Sequence, residues 1–169
     1  MSALALTMNR TSPFFLFDGT ESGASSLATQ VPNCVKAIIS HFQGSAFGNQ
    51  RIDQPAQTIL DIYASCNKKD WNGDGAEPIS KESAEEAINL LLALPLNLPI
   101  PDIFADPTGA IAFEWYRKPS HRLALIIYGN RTVEFTGLYG IGDGVYGEAR
   151  IRNGFPKIIR SHLRELFSD

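Results

Sequence analysis

The chain predicts an α+β domain, and three observations carry that prediction. Apolar residues recur at helical spacing over 55–65 and again over 80–94. From Asp102 to about residue 151 the apolar period changes to two. A last amphipathic stretch, 155–167, returns to helical spacing. Helices followed by a run of strands mean α+β rather than a parallel α/β sheet. The expected architecture is N-terminal helices, an antiparallel meander of four to five strands, and a C-terminal helix packed on the sheet. The 169 residues suit one core, divided as a weakly ordered segment over 1–50 and a single domain over 51–169.

In the first segment, the small polar residues 19–26 read as a loop. Val35, Ile38, Ile39 and Phe42 suggest one short helix before Gly44. The next helix, 55–65, starts on Pro55, which suits a first turn. It carries Ile59, Ile62 and Tyr63 on one side and ends before Asn67, Lys68 and Lys69. Residues 80–94 form the best-marked helix. Ser80 is its N-cap, Ile79 staples onto Ala84, and Glu82, Glu85 and Glu86 favour its positive end. Ala84, Ala87, Ile88, Leu91 and Leu92 make its apolar stripe, and Pro95 stops it.

Residues 103–105, a Pro107-Thr108-Gly109 turn and residues 110–116 then read as a hairpin, with Ile111, Phe113 and Trp115 on one face. Residues 122–128 are apolar in both phases, which predicts a central strand covered on both sides. Gly129-Asn130 marks a tight turn into a strand over 131–139. After a loop at 140–144 comes a last strand over 145–151. The closing helix, 155–167, has Pro156 near its first turn and Ile159, Leu163 and Leu166 as its stripe.

Composition narrows the function classes. The chain is 44% hydrophobic and 20% charged, with net charge -3. The pI is near 5.6, so no global basic field draws it to nucleic acid or anionic lipid. The longest apolar run, 87–100, is interrupted by Asn89, Pro95, Asn97 and Pro99, short of the roughly 18 residues a membrane span needs. Cys34 and Cys66 stand apart from any C-x-x-C pair and read as buried thiols in a reducing cytosol, with a disulfide between them as the alternative. Residues 1–8 lack the charged start and long apolar core of a signal peptide, which predicts a cytoplasmic protein and gives the N-x-T sites at Asn9 and Asn130 no glycan.

The densest turn chemistry lies at 70–79. Asp70, Asn72 and Asp74, followed by Gly75, match the first half of a calcium loop. The second half departs from it: Lys81 stands where a bidentate glutamate closes such a loop, and Pro78 occupies a ligand position. The residues therefore read as consecutive turns at Asn72-Gly73 and Asp74-Gly75, pinned by Trp71, with calcium through Asp70, Asn72 and Asp74 as an alternative. No other cofactor is expected.

The same stretch, Trp71-Asn-Gly-Asp-Gly-Ala-Glu-Pro-Ile-Ser, is followed by a helix ending in Leu-Pro and then by Asp106-Pro107-Thr-Gly109-Ala-Ile-Ala-Phe-Glu114-Trp115. In these residues the chain resembles a group of uncharacterised bacterial proteins, common on mobile or accessory genetic elements. The group shares a W-D-G-x-G-A-x-P motif and a P-D-G-x-I-x-L-E-W hairpin. The chain departs from it in Asn72, where aspartate is usual, and in Asp74, where an aromatic is more typical. The resemblance implies a fold and a setting beside neighbouring gene products, such as an antitoxin, immunity or anti-defence factor. It assigns no catalytic residue.

Other catalytic patterns are thin. Gly142-x-Gly144-x-x-Gly147 spells a dinucleotide fingerprint but precedes a strand, not a helix. His41, His121 and His162 lack a nucleophile elbow. Glu114, beside Trp115, could serve a hydrolase as a buried acid, or pair with Arg117 or Arg122. Arg150, Arg152, Lys157, Arg160, His162 and Arg164 make the C-terminal stretch locally basic, a solvated helix face or a weak contact for phosphate or an acidic partner. The resulting expectation is a non-enzymatic protein that binds a macromolecule, a protein before nucleic acid, with no membrane association. Its expected contact residues are Trp71, Asp74, Glu77, Arg160 and Arg164.

Overall fold

The computed structural model describes residues 50–168. The expected loop at 19–26, the helix at 35–42, Cys34, His41 and the weak order of 1–49 lie outside the described residues.

Among the described residues, three helices and five strands follow in the predicted order. Helix α1 is Gln50–Ser65 and α2 is Lys81–Leu92. Strands β1 (Asp102–Ala105), β2 (Ile111–Lys118), β3 (His121–Ile127), β4 (Thr132–Gly140) and β5 (Asp143–Arg150) form one sheet. Helix α3 is Lys157–Phe167. The sheet order is β1-β2-β3-β4-β5, every neighbour antiparallel, so the protein is α+β with a five-stranded meander.

All the strands obey one parity. Ile111, Phe113, Trp115, Leu123, Leu125, Ile127, Val133, Phe135 and Ala149 are buried, and no even-numbered strand residue is buried. The buried set joins Ile52, Ala56 and Ile59 of α1, Ala84, Ala87, Ile88 and Leu91 of α2, and Ile159, Leu163 and Leu166 of α3 in one core. The described residues thus form two layers, with their helices on one face. Helix α1 packs on α2 and β1, α2 on β2 and β3, and α3 on β3 and β4.

Strand β3 is central, as the sequence predicts, but among the described residues no helix or strand lies over its second face. Arg122 is exposed and Ala124 and Ile126 are only half-buried. Two small or aliphatic residues at even positions imitate the pattern of a doubly covered strand. Helix α1 also starts upstream of its predicted Pro55, which lies inside it. Pro55 has no N–H to donate to the carbonyl four residues back. Burial of Ile52 and Ala56 on the same stripe as Ile59 carries the helix through regardless. The loop predicted at 140–144 is shorter than expected: β4 runs to Gly140 and β5 begins at Asp143, with Ile141 and Gly142 as the turn. Gly142, at φ 79, supplies that turn rather than a phosphate cradle.

Helix α2 begins as its sequence predicts. The Ser80 hydroxyl accepts from the Ser83 N–H at 3.0 Å. Ser83 then ties the helix to the sheet. Its hydroxyl accepts from the Ile111 N–H at 2.8 Å and donates to the Ile127 carbonyl at 2.5 Å. The helix lies so close to the β3–β4 turn that a Cβ on Gly129 would fall 2.3 Å from the Glu82 carbonyl carbon. At the far end of the sheet the Arg117 guanidinium donates to the carbonyls of Leu166 (2.9 Å) and Ser168, a cation on the negative end of α3.

Candidate functional site

The expected contact residues fall on two elements. Residues 70–79 form a closed double turn. Asp70, at φ 63, donates its N–H to the Ala76 carbonyl at 2.7 Å, and its carboxylate accepts from the Gly75 N–H at 2.7 Å. The Asn72 side-chain oxygen accepts from the N–H groups of Asp74 (2.9 Å) and Ala76 (3.2 Å). Two of the three oxygen-bearing side chains considered for calcium thus bond to the loop's own amides. Among the described residues no three of His, Cys, Asp and Glu are grouped to hold a metal ion.

Trp71 is half-exposed, and its indole N–H donates to the Glu77 carbonyl at 2.9 Å, which pins the turn as expected. Asp74 points into solvent. Glu77 pairs with Lys69 at 3.2 Å, an exposed contact of roughly 0–1 kcal/mol. The whole turn is docked on the β1–β2 connection through Glu77 N–H to the Pro107 carbonyl (2.8 Å) and Ser80 N–H to the Gly109 carbonyl (3.0 Å).

The other two contact residues are on α3. Arg164 is exposed, whereas Arg160 is half-buried with its Nε hidden and unbonded. Beside them His162 stacks on Tyr139 at 5.7 Å and tilts against Phe135 at 5.2 Å, with Nδ1 3.8 Å from the Glu165 carboxylate. Burial, with Glu165 and Asp143 nearby, pushes the Tyr139 phenol up to about 12.

Glu114 sits on the uncovered face of β2, about a third exposed, with Arg122 at 3.8 Å. That is the ion-pair placement, and the carboxylate faces out from the helix-covered core. Cys66 carries a free, half-buried thiol. His121 sits at the β2–β3 turn, its Nδ1 3.2 Å from the Pro119 carbonyl.

A surface that none of the expected contact residues marked is the uncovered face itself. The register aligns Phe104, Ala112, Ile126, Glu134 and Glu148 in one row across all five strands. The next row is Asp102, Glu114, Ala124, Thr136 and Tyr146, and a third holds Tyr116, Arg122, Leu138 and Gly144. Phe104 is 49%, Tyr116 57% and Tyr146 86% exposed. Small and aliphatic side chains make a flat centre, three aromatic rings stand at its margins, and carboxylates share the rows. The signal was in the sequence as even-numbered aromatics among odd-numbered core residues. The assumption that β3 is covered on both sides hid it.

No known family model matches the chain, and no curated protein and no solved structure matches it. No helix among the described residues is long and apolar enough to cross a membrane.

Proposed function

We propose that the protein acts without catalysis, by binding a partner protein on the uncovered face of its sheet. The carrying observation is the exposure of Phe104, Tyr116 and Tyr146 on a face that none of the three helices covers. Large aromatic side chains supply contact area at small conformational cost and are enriched at protein interfaces. Glu134 and Glu148 stand directly opposite each other on that face, a like-charge pair that destabilises the free sheet and that a basic group on a partner would relieve. The turn at 70–79 and the outer side of α3 extend the surface available for contact. The resemblance to proteins of mobile elements adds the kind of role, an antitoxin, immunity or anti-defence factor acting on a neighbouring gene product.

The test is affinity capture from the native host with the unaltered chain and with Tyr116→Ala/Tyr146→Ala. One protein retained in stoichiometric amount by the first and lost by the second supports the reading. Equal recovery by both, or no retained protein together with turnover in a substrate screen, overturns it.

A further inference from the structure

The β3–β4 turn and the end of β5 meet at one end of the sheet. Thr132 pairs with Arg150, and the Ile151 N–H donates to the Arg131 carbonyl at 2.8 Å. Between these segments lies an open recess of about 470 Å³. Arg131, Arg150 and Arg152 line it, together with Asn130 and Asn153, and no carboxylate is part of its wall. The sequence shows only Arg150 and Arg152 as neighbours; the sheet register brings in Arg131.

The charges are compensated from one side only: Arg131, Ile151 and Arg152 also line the adjoining recess that holds Glu82, Glu85 and Glu86. Arg150 and Arg152 form no ion pair among the described residues. Arg131 feels Glu86 from the α2 side, but that carboxylate accepts the Arg131 backbone N–H at 3.2 Å. The Arg131 guanidinium makes one long contact, 3.4 Å, to the Arg152 carbonyl. Asn130 uses its oxygen on the N–H (3.0 Å) and hydroxyl (2.6 Å) of Thr132, which leaves its NH2 as the donor. The wall therefore presents guanidinium and amide N–H groups around a space with no acceptor charge of its own.

Arg131 sits at φ 65, a left-handed conformation that disfavours any residue with a Cβ. The turn's geometry asks for glycine or asparagine there, and an arginine occupies it. Asp70 and Ser120 share that backbone region in their own turns, so the angle belongs to the turn, and what Arg131 adds is a third like charge on the recess.

We propose that this recess binds an oxyanion, specifically the phosphate group of a phosphomonoester or polyphosphate. A guanidinium stays protonated at any physiological pH and offers a planar fork that matches two phosphate oxygens at once. Three such groups suit a multiply charged phosphate better than a carboxylate, which offers two oxygens and one charge. The recess adjoins the face with the aromatic rows, since the Thr132–Arg150 pair stands two residues from Glu134–Glu148, but none of the three exposed aromatic residues lines it.

The test is calorimetric titration of the full chain, in low-chloride buffer, with inorganic phosphate, tripolyphosphate and a mixed-sequence single-stranded DNA oligonucleotide. Tripolyphosphate is expected to bind saturably and more tightly than phosphate. Arg150→Gln/Arg152→Gln is expected to weaken it by about tenfold or more, as loss of charge-assisted hydrogen bonds does. Arg131→Gly removes the third guanidinium while relieving the backbone, so it keeps the fold and should weaken binding as well. Thermal melts confirm that each variant is folded. If only the free anions bind, the source is a small phosphate compound; if the oligonucleotide also binds and loses affinity in the same variants, it is a nucleic-acid backbone. Absence of saturable tripolyphosphate binding overturns the proposal, as does binding unchanged in all the variants.

Discussion

Ser83 joins the helix layer to the sheet, and it is a buried polar residue whose hydroxyl is fully occupied. Replacing it with alanine strips a partner from the buried Ile111 N–H and Ile127 carbonyl at once. Each unsatisfied group costs roughly 1–3 kcal/mol, so Ser83→Ala should lower the melting temperature clearly, read by calorimetry. Tyr139 gives a second prediction at this scale. Its phenol is held up to about 12 by burial, against about 10 in an unfolded chain. The folded state therefore keeps a proton that the unfolded state releases between those values. The stabilisation is complete below about pH 10 and is lost as pH rises through 12. Stability measured by denaturant across that window should fall, and Tyr139→Phe should flatten the fall. Ultraviolet titration of the native protein should show a tyrosine ionising near 12 that Tyr139→Phe removes.

Among the elements, α1 carries the clearest conflict between local preference and packing. Pro55 lies within it and leaves the Arg51 carbonyl without its helical donor. Pro55→Ala restores that donor and relieves Gln54, which precedes the proline and is disfavoured in a helix. The expected gain is about 1–3 kcal/mol, measured as a rise in the denaturation midpoint at constant slope. A loss would mean that the half-buried ring packs better than the hydrogen bond it prevents. The elements themselves were legible because their periods were strong: α2 with its Ser80 cap, β2 with Ile111, Phe113 and Trp115. What stayed illegible depended on contacts distant in sequence. The start of α1 upstream of its proline needs Ile52 in a core built by α2. The single-sided cover of β3 needs knowledge that none of the described helices lies over Ala124 and Ile126. The gathering of Arg131 with Arg150 needs the register of β4 against β5. The Asp70-to-Gly75 turns were readable from their Asn-Gly and Asp-Gly pairs, because that chemistry is local.

As a whole, the described residues make a sheet with one dry side. That sidedness is testable within a single strand. Leu125 is fully buried and its neighbour Ile126 is not. Leu125→Ala should cost about 2–5 kcal/mol, whereas Ile126→Ala should cost under about 1.5 kcal/mol; similar losses at both positions would mean the second side is covered. The order of the strands has a separate consequence, for synthesis. They stand in space in the sequence in which they leave the ribosome, so each hairpin closes a short loop onto the strand just made. The cover for the far half of the sheet arrives afterwards: Ile159, Leu163 and Leu166 follow every strand they shield. A nascent chain that has emerged only as far as Pro156 has its meander complete and Val133 and Phe135 of β4 still without the helix that packs on that strand. For this protein the hazard of misassembly belongs to that stage, and the eleven residues of α3 end it.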